Sequence, residues 1–243
     1  MPGKIVVITG ANRGLGRAIA RQFAKDGDTV VMLGRDLAKI SATAAEIGAN
    51  AVGYQCDVAS STSVNTVFAQ IGERFGQIDA LINNAGYFRR TLLADATDEL
   101  ILETLMVNLA GAMFCARAAI PLMRRNGTII NVTSESVAEN VPYFIPYQSA
   151  KAGLERMTSS LNRELKPLGI RVATVRAGPM FSPGETDIDM HLMQEFMEES
   201  GRRGYDVTSA TLYESTVPVF RLLVDAPPDL YLDHIAFHGG TLG

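Results

Sequence analysis

Short runs of hydrophobic, often β-branched residues alternate with longer amphipathic stretches along the whole chain. Within the runs, consecutive positions are hydrophobic, which is typical of strands buried on both faces of a parallel sheet. Strands are predicted at residues 5–9, 29–33, 51–56, 80–82, 128–132, 170–175 and 234–237. Because strands and helices alternate from end to end, the pattern predicts one α/β domain over residues 1–243, with a parallel sheet covered by helices on both faces.

Apolar residues at helical spacing, for example in 64–75 and 154–165, predict the helices, and this alternation breaks once. The break is a proline- and methionine-rich segment at about 179–207, between the sixth strand and a helix expected at 208–223. An irregular segment of this length after the carboxyl end of a strand is usually functional, so we expect a substrate lid. The alternative is a short amphipathic helix that packs on the core or on another subunit.

The composition indicates a globular protein that binds neither nucleic acid nor anionic membranes. Hydrophobic residues make up 47% and charged residues 20% of the 243 positions, and the formal net charge is −4. Cys56 and Cys115 show no metal-ligand spacing and the histidines form no H-E-x-x-H pattern, so no metal site is expected. Free cysteines, an N-terminus that enters a strand at once, and the lack of a run approaching ~18 apolar residues predict a cytoplasmic location.

A glycine-rich turn follows the first predicted strand. It reads TGANRGLG at residues 9–16 and leads into a helix expected at 17–25. Glycines let the backbone turn tightly and approach a phosphate, while the helix N-terminus offers unpaired N–H groups and a partial positive charge. A lone glycine motif is weak evidence, but a strand before it and a helix and second strand after it predict a dinucleotide-binding site.

A tyrosine and a lysine are predicted to share one helix face. Tyr147 and Lys151 are four residues apart, which brings both side chains to the same side of a helix. A nearby ammonium favours the phenolate and lowers the phenol pKa from its usual value of about 10, so the pair forms a tuned general acid–base. Ser134, at the end of the fifth predicted strand, adds a second hydroxyl that converges on the same substrate oxygen; Ser136 is the competing serine.

These motifs, in this order, resemble the short-chain dehydrogenase/reductase family. The thirteen-residue interval between Ser134 and Tyr147 matches the family and favours Ser134 over Ser136. The resemblance implies a doubly wound, Rossmann-type sheet of seven parallel strands in the order 3-2-1-4-5-6-7, and a homo-oligomer, either a tetramer or a dimer. It also implies that Asn108 kinks a helix and holds a water beside Lys151.

The end of the second strand favours NADP(H). An NAD site would place an acid on the ribose 2′-OH, but the residue that aligns with that position is Gly34, and Arg35 follows. Arg35 and Arg13 suit a 2′-phosphate because guanidinium groups bind phosphate oxygens in bidentate fashion. Asp36 is expected to cap the next helix, with contact to the ribose as the alternative.

The resemblance extends the cofactor site to further positions. It assigns Asp57 to the adenine, the Asn84 loop to the sheet edge beside the adenosine, and Gly178 and Ser182 to the nicotinamide carboxamide. The family usually has Pro-Gly after the sixth strand, whereas this chain has Ala177 before Gly178, so we expect a different local geometry there. The full predicted cofactor set is Gly10, Asn12, Arg13, Gly14, Leu15, Gly16, Arg35, Asp57, Val58, Asn84, Ala85, Gly86, Tyr147, Lys151, Gly178 and Ser182.

The predicted activity is NADP(H)-dependent hydride transfer to or from the carbonyl or alcohol group of a small, partly apolar substrate. The predicted catalytic residues are Asn108, Ser134, Tyr147 and Lys151, and the predicted substrate-binding residues are Ser134, Glu135, Tyr143, Phe144 and Tyr147. One alternative is an NAD(H)-dependent alcohol dehydrogenase of the same fold, against which Gly34 and Arg35 argue. The other is a non-catalytic dinucleotide-binding regulatory protein, which has no need of an acid–base tyrosine.

Overall fold

The computed structural model describes residues 3–139, 141–181 and 210–239, together with 198, 201 and 202. Its main sheet has seven parallel strands in the order β3-β2-β1-β4-β5-β6-β9. The strands of this sheet are β1 (Ile5–Thr9), β2 (Thr29–Gly34), β3 (Ala51–Gln55), β4 (Ile78–Asn83), β5 (Met123–Ser134), β6 (Arg171–Ala177) and β9 (His234–Phe237). The predicted sheet and strand order are therefore confirmed, with β9 as the predicted seventh strand.

Helices cover both faces of the sheet. They are α1 (Gly14–Lys25), α2 (Leu37–Ile47), α3 (Ser61–Phe75), α4 (Asp98–Leu105), α5 (Gly111–Ala119), α6 (Ile145–Leu165) and α7 (Tyr213–Asp225). Asp36 caps α2, because its carboxylate accepts a hydrogen bond of 3.0 Å from the backbone N–H of Lys39. This confirms the capping role expected for Asp36.

The core consists of two layers, one on each side of the sheet. Alternate residues of β1 point to opposite faces, so that Val6 and Ile8 join one hydrophobic cluster and Val7 joins the other. The first cluster includes Phe23 of α1 and Phe220 of α7, both fully buried. Complete burial of such a side chain contributes about 1.5–3 kcal/mol to the free energy of unfolding. This double burial explains why the strands read as continuous hydrophobic runs.

Several boundaries differ from their predictions by a few residues, and two of these differences have a clear physical cause. α1 begins at Gly14 rather than at residue 17, because the glycine turn already provides its first turn. β5 begins at Met123, five residues before the predicted start, and its residues 124–126 are exposed. Polar residues on the exposed part of a strand give no hydrophobic run, so the pattern missed this extension.

A five-residue π-helix, Met106–Ala110, joins α4 to α5. The resulting helical stretch, Asp98–Leu122, has 25 residues, and an 18-residue window within it has a mean hydropathy of 1.6, so by length and composition it could cross a membrane. The stretch is interrupted by Asn108 and Arg117, so it is not an uninterrupted apolar run. A single helix of this kind is weak evidence, since core helices pass the same test, and here Cys115 and Ala119 are fully buried against the sheet.

A second, two-stranded sheet lies at the ends of the predicted lid. β7 (Met180–Phe181) pairs in parallel with β8 (Thr211–Leu212), which leads directly into α7. The backbone N–H of Thr211 also donates to the carbonyl oxygen of Pro179 at 3.0 Å. The two ends of the predicted lid are thus joined, whereas most of 179–207 lies outside the described residues, and its role as a lid stays a prediction.

Candidate active site

A cleft of about 350 Å³ lies at the carboxyl ends of β1, β2, β4, β5 and β6. Ligands of open α/β sheets bind at this edge, where the chain order reverses, and here β1 lies between β2 and β4. Most of the predicted cofactor residues line the cleft, namely Gly10, Asn12, Arg13, Gly14, Leu15, Arg35, Val58, Asn84, Ala85, Gly86, Tyr147, Lys151 and Gly178. The structure thus brings together residues from across the sequence.

The turn between β1 and α1 requires glycine at two positions for conformational reasons. Gly10 and Gly14 have φ values of +65° and +53°, in the left-handed region that favours glycine. A Cβ atom on Gly16 would lie 2.5 Å from the carbonyl oxygen of Gly10, so Gly16 permits close packing beneath the turn. Gly16 is not among the described residues that line the cleft, so the structure shows a packing role for it, and its contact with the cofactor stays a prediction.

The loop after β4 is hydrogen-bonded to the glycine turn between β1 and α1. The side-chain amide of Asn84 donates to the carbonyl oxygens of Thr9 at 3.0 Å and Gly10 at 3.2 Å. In return, the hydroxyl oxygen of Thr9 accepts hydrogen bonds from the backbone N–H groups of Asn84 and Ala85, at 3.0 and 2.9 Å. These four bonds hold the two loops in one fixed arrangement at the entrance to the cleft.

Where β2 ends, a basic side chain lines the cleft, and the described residues of β2 contribute no carboxylate to it. Gly34 and Arg35 line it, and Arg35 is an exposed residue whose Nη1 lies 3.8 Å from Oε1 of Glu103. Asp57 is not among the described cleft-lining residues; its carboxylate accepts a hydrogen bond of 3.0 Å from the backbone N–H of Ala59. In this structure Asp57 therefore caps a turn, and its contact with adenine stays a prediction.

Three predicted catalytic side chains meet in the cleft. Ser134 ends β5, and Tyr147 and Lys151 lie on successive turns of α6. Ser136, the competing serine, is buried, and its hydroxyl donates to that of Ser134 at 2.9 Å. Ser134 therefore faces the cleft, whereas Ser136 lies behind Ser134 and donates a hydrogen bond to it. This arrangement agrees with the preference for Ser134 over Ser136 as the residue that contacts the substrate oxygen.

Burial shifts the pKa values of Tyr147 and Lys151 on α6. It raises the pKa of Tyr147 to about 12, partly offset by a hydrogen bond with Ser134. It also lowers the pKa of Lys151 to about 8, and the ammonium donates to the carbonyl oxygen of Val132 at 2.8 Å. The expectation that Lys151 lowers the phenol pKa is therefore wrong for the protein alone, because burial disfavours both charged forms and the ammonium nitrogen lies 5.6 Å from the centre of the phenol ring.

Asn108 lies in the π-helix and ties it to the loop after β4. Its side-chain amide donates to the carbonyl oxygens of Tyr87 at 2.6 Å and Thr104 at 2.9 Å, and its oxygen accepts from the backbone N–H of Tyr87 at 3.2 Å. The predicted distortion of the helix at Asn108 is present as a π-turn. The water that it would hold beside Lys151 stays a prediction.

Gly178 forms the wall of the cleft at the end of β6. A Cβ atom there would lie 2.8 Å from Oε2 of Glu135 and 3.0 Å from the carbonyl oxygen of Phe237, so only glycine fits. Glu135 thus lies against Gly178, beside the position predicted for the nicotinamide. Ser182, the other residue predicted to bind the carboxamide, lies outside the described residues.

A family model for short chain dehydrogenases matches residues 4–193 of this chain. The chain belongs to the short-chain dehydrogenase family. It is 37% identical over 183 residues to a D-xylose 1-dehydrogenase of Caulobacter vibrioides, covering 73% of this chain and 72% of that protein. It is 31% identical over 198 residues to a 3-oxoacyl-[acyl-carrier-protein] reductase of Mus musculus, covering 81% and 82% of the two chains.

Solved structures agree with this assignment. A crystal structure described as a short-chain dehydrogenase/reductase, glucose/ribitol dehydrogenase, from Brucella melitensis superposes with a TM-score of 0.85. The match covers 99% of this chain and 97% of that one, at 26% sequence identity. The short-chain dehydrogenase fold thus extends over essentially the whole chain.

Short-chain dehydrogenases bind a nicotinamide dinucleotide, and the cleft fits one. Gly14 carries no side chain where the backbone enters α1, which lets a phosphate approach the backbone of the helix closely. Lys151 and Gly178 lie at the opposite end of the same cleft, beside Ser134 and Tyr147. A dinucleotide spanning the cleft would thus have its phosphates at α1 and its reactive ring beside the catalytic side chains.

Three aromatic rings lie close together at the end of the cleft that holds Ser134 and Tyr147. The centre of the Phe88 ring lies 5.7 Å from that of Phe144 and 5.6 Å from that of Tyr147, and the rings of Phe144 and Tyr147 are 6.1 Å apart. Tyr143, predicted to bind substrate, has a left-handed backbone (φ +69°), and its carbonyl oxygen accepts a hydrogen bond of 3.1 Å from the N–H of Thr91. The loops that carry Phe88 and Phe144 are therefore joined.

Sequence reasoning missed several residues that line the cleft, namely Leu33, Cys56, Val107, Val132, Thr133 and Tyr213. Leu33 and Cys56, which end the second and third predicted strands, could have been found from that position alone. Tyr213 lies 33 positions after Met180, which is near the start of the predicted lid, and no pattern in the chain indicates that the two residues meet. Pairing of β7 with β8 brings them together.

Proposed function

We propose that this short-chain dehydrogenase uses NADP(H) to transfer hydride to or from the carbonyl or alcohol group of a small, partly apolar substrate, with Tyr147 as the general acid–base. The observation that carries the proposal is the meeting of Ser134, Tyr147 and Lys151 in the cleft that begins at the glycine turn. The nicotinamide supplies the hydride; the protein supplies position, hydrogen bonds and a proton.

The hydroxyl groups are arranged for proton donation to a carbonyl oxygen. The oxygen of Ser134 accepts hydrogen bonds from the backbone N–H and the hydroxyl of Ser136, which leaves its own proton for the oxygen of Tyr147 or of a substrate. A pKa of about 12 keeps Tyr147 protonated at neutral pH, so it is ready to act as an acid in the direction of reduction. In this proposal Ser134 orients the substrate oxygen and Tyr147 protonates it.

The choice of NADP(H) rests on charge at the end of β2. Gly34 leaves no carboxylate to accept a hydrogen bond from a ribose 2′-OH, while Arg13 and Arg35 both line the cleft. A 2′-phosphate there would meet guanidinium groups, which bind phosphate oxygens well. Asp36 is engaged with the N–H of Lys39, which argues against its use as the ribose ligand of an NAD site.

The character of the substrate is inferred from the aromatic cluster beside Tyr147. Phe88 is 52% exposed, so an apolar substituent of a bound carbonyl compound would find its ring surface accessible. The relatives named as D-xylose and 3-oxoacyl-carrier-protein enzymes act on carbonyl or hydroxyl groups of quite different compounds. Phe88, which lines the cleft, and Phe144, whose ring packs against that of Phe88, favour compounds with an apolar group near the carbonyl over highly hydroxylated ones.

A fluorescence titration of the purified protein with NADPH and with NADH tests the cofactor assignment. We expect tighter binding of NADPH, and a loss of that preference in an Arg35→Ser variant, with Lys39→Ala on the neighbouring helix as the control. A subsequent screen of ketones and aldehydes is read from the absorbance of NADPH. Equal or tighter binding of NADH contradicts the NADP(H) assignment, and binding without turnover of any carbonyl compound would favour a non-catalytic protein.

Homo-oligomerisation also belongs to this proposal. Leu102 on α4 and Met113 on α5 are 60% and 41% exposed, so these helices present apolar side chains that a second copy would cover. Light scattering after size-exclusion chromatography gives the mass of the species in solution, and a mass of one chain would contradict this part.

A further inference from the structure

A chain of buried polar side chains runs from β4 through β5 to α6. The side-chain amide of Asn83 donates to the Oδ1 atom of Asn131 at 2.8 Å, and the amide of Asn131 donates to the hydroxyl of Thr158 at 2.9 Å. The hydroxyl of Thr158 in turn donates to the carbonyl oxygen of Leu154 at 2.7 Å. Both amides therefore donate in the direction of α6.

This direction leaves an acceptor at the start of the chain. The amide nitrogen of Asn83 also lies 3.4 Å from the carbonyl oxygen of Ala112, which can only accept a hydrogen bond and so fixes the orientation of the amide. The Oδ1 atom of Asn83 is buried and has no hydrogen-bond partner among the described residues. A buried acceptor without a donor destabilises the fold, so a donor is required at this position.

A small cavity lies beside Asn83. It has a volume of about 10 Å³ and is lined by residues of β1, β4, the π-helix, α5 and α6, among them Asn83, Asn108 and Ala112. This volume is close to the least that holds one water molecule, and larger ligands do not fit.

Asn108 brings a second acceptor to the same cavity. Both N–H groups of its side-chain amide are used, because they donate to the carbonyl oxygens of Tyr87 and Thr104. Its Oδ1 atom accepts one hydrogen bond, from the backbone N–H of Tyr87, and a carboxamide oxygen has two lone pairs. Two acceptors on one small cavity require a ligand with two donors, and water has two.

We propose that this cavity is the site of one structural water, which donates one hydrogen bond to Oδ1 of Asn83 and the other to Oδ1 of Asn108. The water connects the polar chain of β4, β5 and α6 with the π-helix, so Asn108 is held from the core as well as by the loop after β4. This inference is independent of the proposed function, since it concerns neither the dinucleotide nor the substrate.

A high-resolution crystal structure of the protein tests the site directly. We expect a single peak of electron density in the cavity, at about 2.5–3.0 Å from the Oδ1 atoms of both Asn83 and Asn108. An empty cavity would overturn the proposal, and so would a peak within hydrogen-bond reach of Asn83 but not of Asn108.

Two substitutions of nearly equal size at Ala112 test the need for a donor in solution. Ala112 is a buried residue of α5 and lines the cavity. Ala112→Ser brings a hydroxyl donor into the space of the water, whereas Ala112→Cys fills it with a weak donor of similar helix propensity. We expect the Tm of Ala112→Cys, measured with a reductant present, to lie at least about 2 °C below that of Ala112→Ser. Equal Tm values, or a more stable cysteine variant, would show that the cavity needs no donor and would overturn the proposal.

Discussion

Arg176 and Glu155 form a two-point ion pair, with Nε to Oε1 at 2.9 Å and Nη2 to Oε2 at 2.7 Å. Oε1 also accepts a hydrogen bond of 2.8 Å from the hydroxyl of Thr133. The pair thereby joins β6, α6 and β5 immediately beside Ser134 and on the helix that carries Tyr147. Burial alone would raise the pKa of Glu155, but the hydrogen bonds from Arg176 and Thr133 outweigh it and lower the pKa overall.

Removing the charge of Glu155 is predicted to destabilise the protein. In Glu155→Gln, the partly buried guanidinium of Arg176 loses its counter-ion, which costs about 3 kcal/mol of unfolding free energy. The matched control is Arg124→Gln, which breaks a pair with Asp79 in which Arg124 is half exposed and should cost under about 1 kcal/mol. The free energy of unfolding in urea is measured for both variants. Equal decreases for Glu155→Gln and Arg124→Gln would mean that the pair of Glu155 and Arg176 stabilises the protein no more than an exposed pair does.

The buried ammonium of Lys151 predicts a defined pH dependence of stability. Its folded pKa of about 8 lies below the usual value of 10.5, so between these values the unfolded chain binds more protons and stability from this group rises with pH. Relative to Lys151→Met, wild type should gain about 2 kcal/mol of unfolding free energy from pH 8 to pH 10.

Comparing the two proteins at each pH cancels the opposing contribution of Cys56, whose raised pKa of about 11 lowers stability in alkaline solution. Urea unfolding at pH 7, 8, 9 and 10 gives the difference. A difference that stays constant across this range would show that the pKa of Lys151 is not lowered in the folded protein.

The sheet was predictable because its strands are buried on both faces, and double burial leaves continuous hydrophobic runs. The cleft was largely predictable for a related reason, since chemistry-bearing residues that follow parallel strands meet at one edge. The π-helix at Met106–Ala110 was foreseen only as a kink at Asn108, because helical spacing does not distinguish α from π over five residues.

Side-chain contacts between residues that are far apart in the chain could not be predicted from the sequence. The partner of Arg176 is 21 positions away on a different element, and Tyr213 reaches Gly14 across most of the chain. The raised pKa of Tyr147 was also missed, because the spacing to Lys151 reports a shared helix face but not how deeply both groups are buried. Cytoplasmic location, homo-oligomerisation and a lid at 179–207 stay predictions.

Glu103 is predicted to weaken the preference for NADPH. Its carboxylate lies 3.8 Å from Arg35, so it competes with a 2′-phosphate for the same guanidinium. Glu103→Gln should tighten NADPH binding by about two- to fivefold and leave NADH unchanged, with an effect that fades at high ionic strength. Fluorescence titrations in low and high salt measure this. Equal changes for both cofactors would place Glu103 outside the 2′-phosphate site.

Phe88 is predicted to bind the apolar part of the substrate. In Phe88→Ala, a carbonyl compound that carries an aryl group should show a KM about tenfold higher with a smaller change in kcat, because the ring contributes apolar contact and no proton transfer. Leu168→Ala, at an exposed leucine outside the cleft, is the control. Steady-state kinetics with aryl and hydroxylated substrates decides the point, and an equal effect on both classes would argue against an apolar pocket.

The role of Tyr147 is tested most directly by Tyr147→Phe, which keeps the ring contacts with Phe88 and Phe144 and removes only the hydroxyl. The decisive measurement is the rate of carbonyl-dependent NADPH oxidation by the variant, made alongside a titration of its NADPH affinity. We predict an affinity within about twofold of wild type and a rate at least 10²-fold lower, because the proton donor is gone. A variant that binds NADPH and turns over at near the wild-type rate would contradict the proposed mechanism.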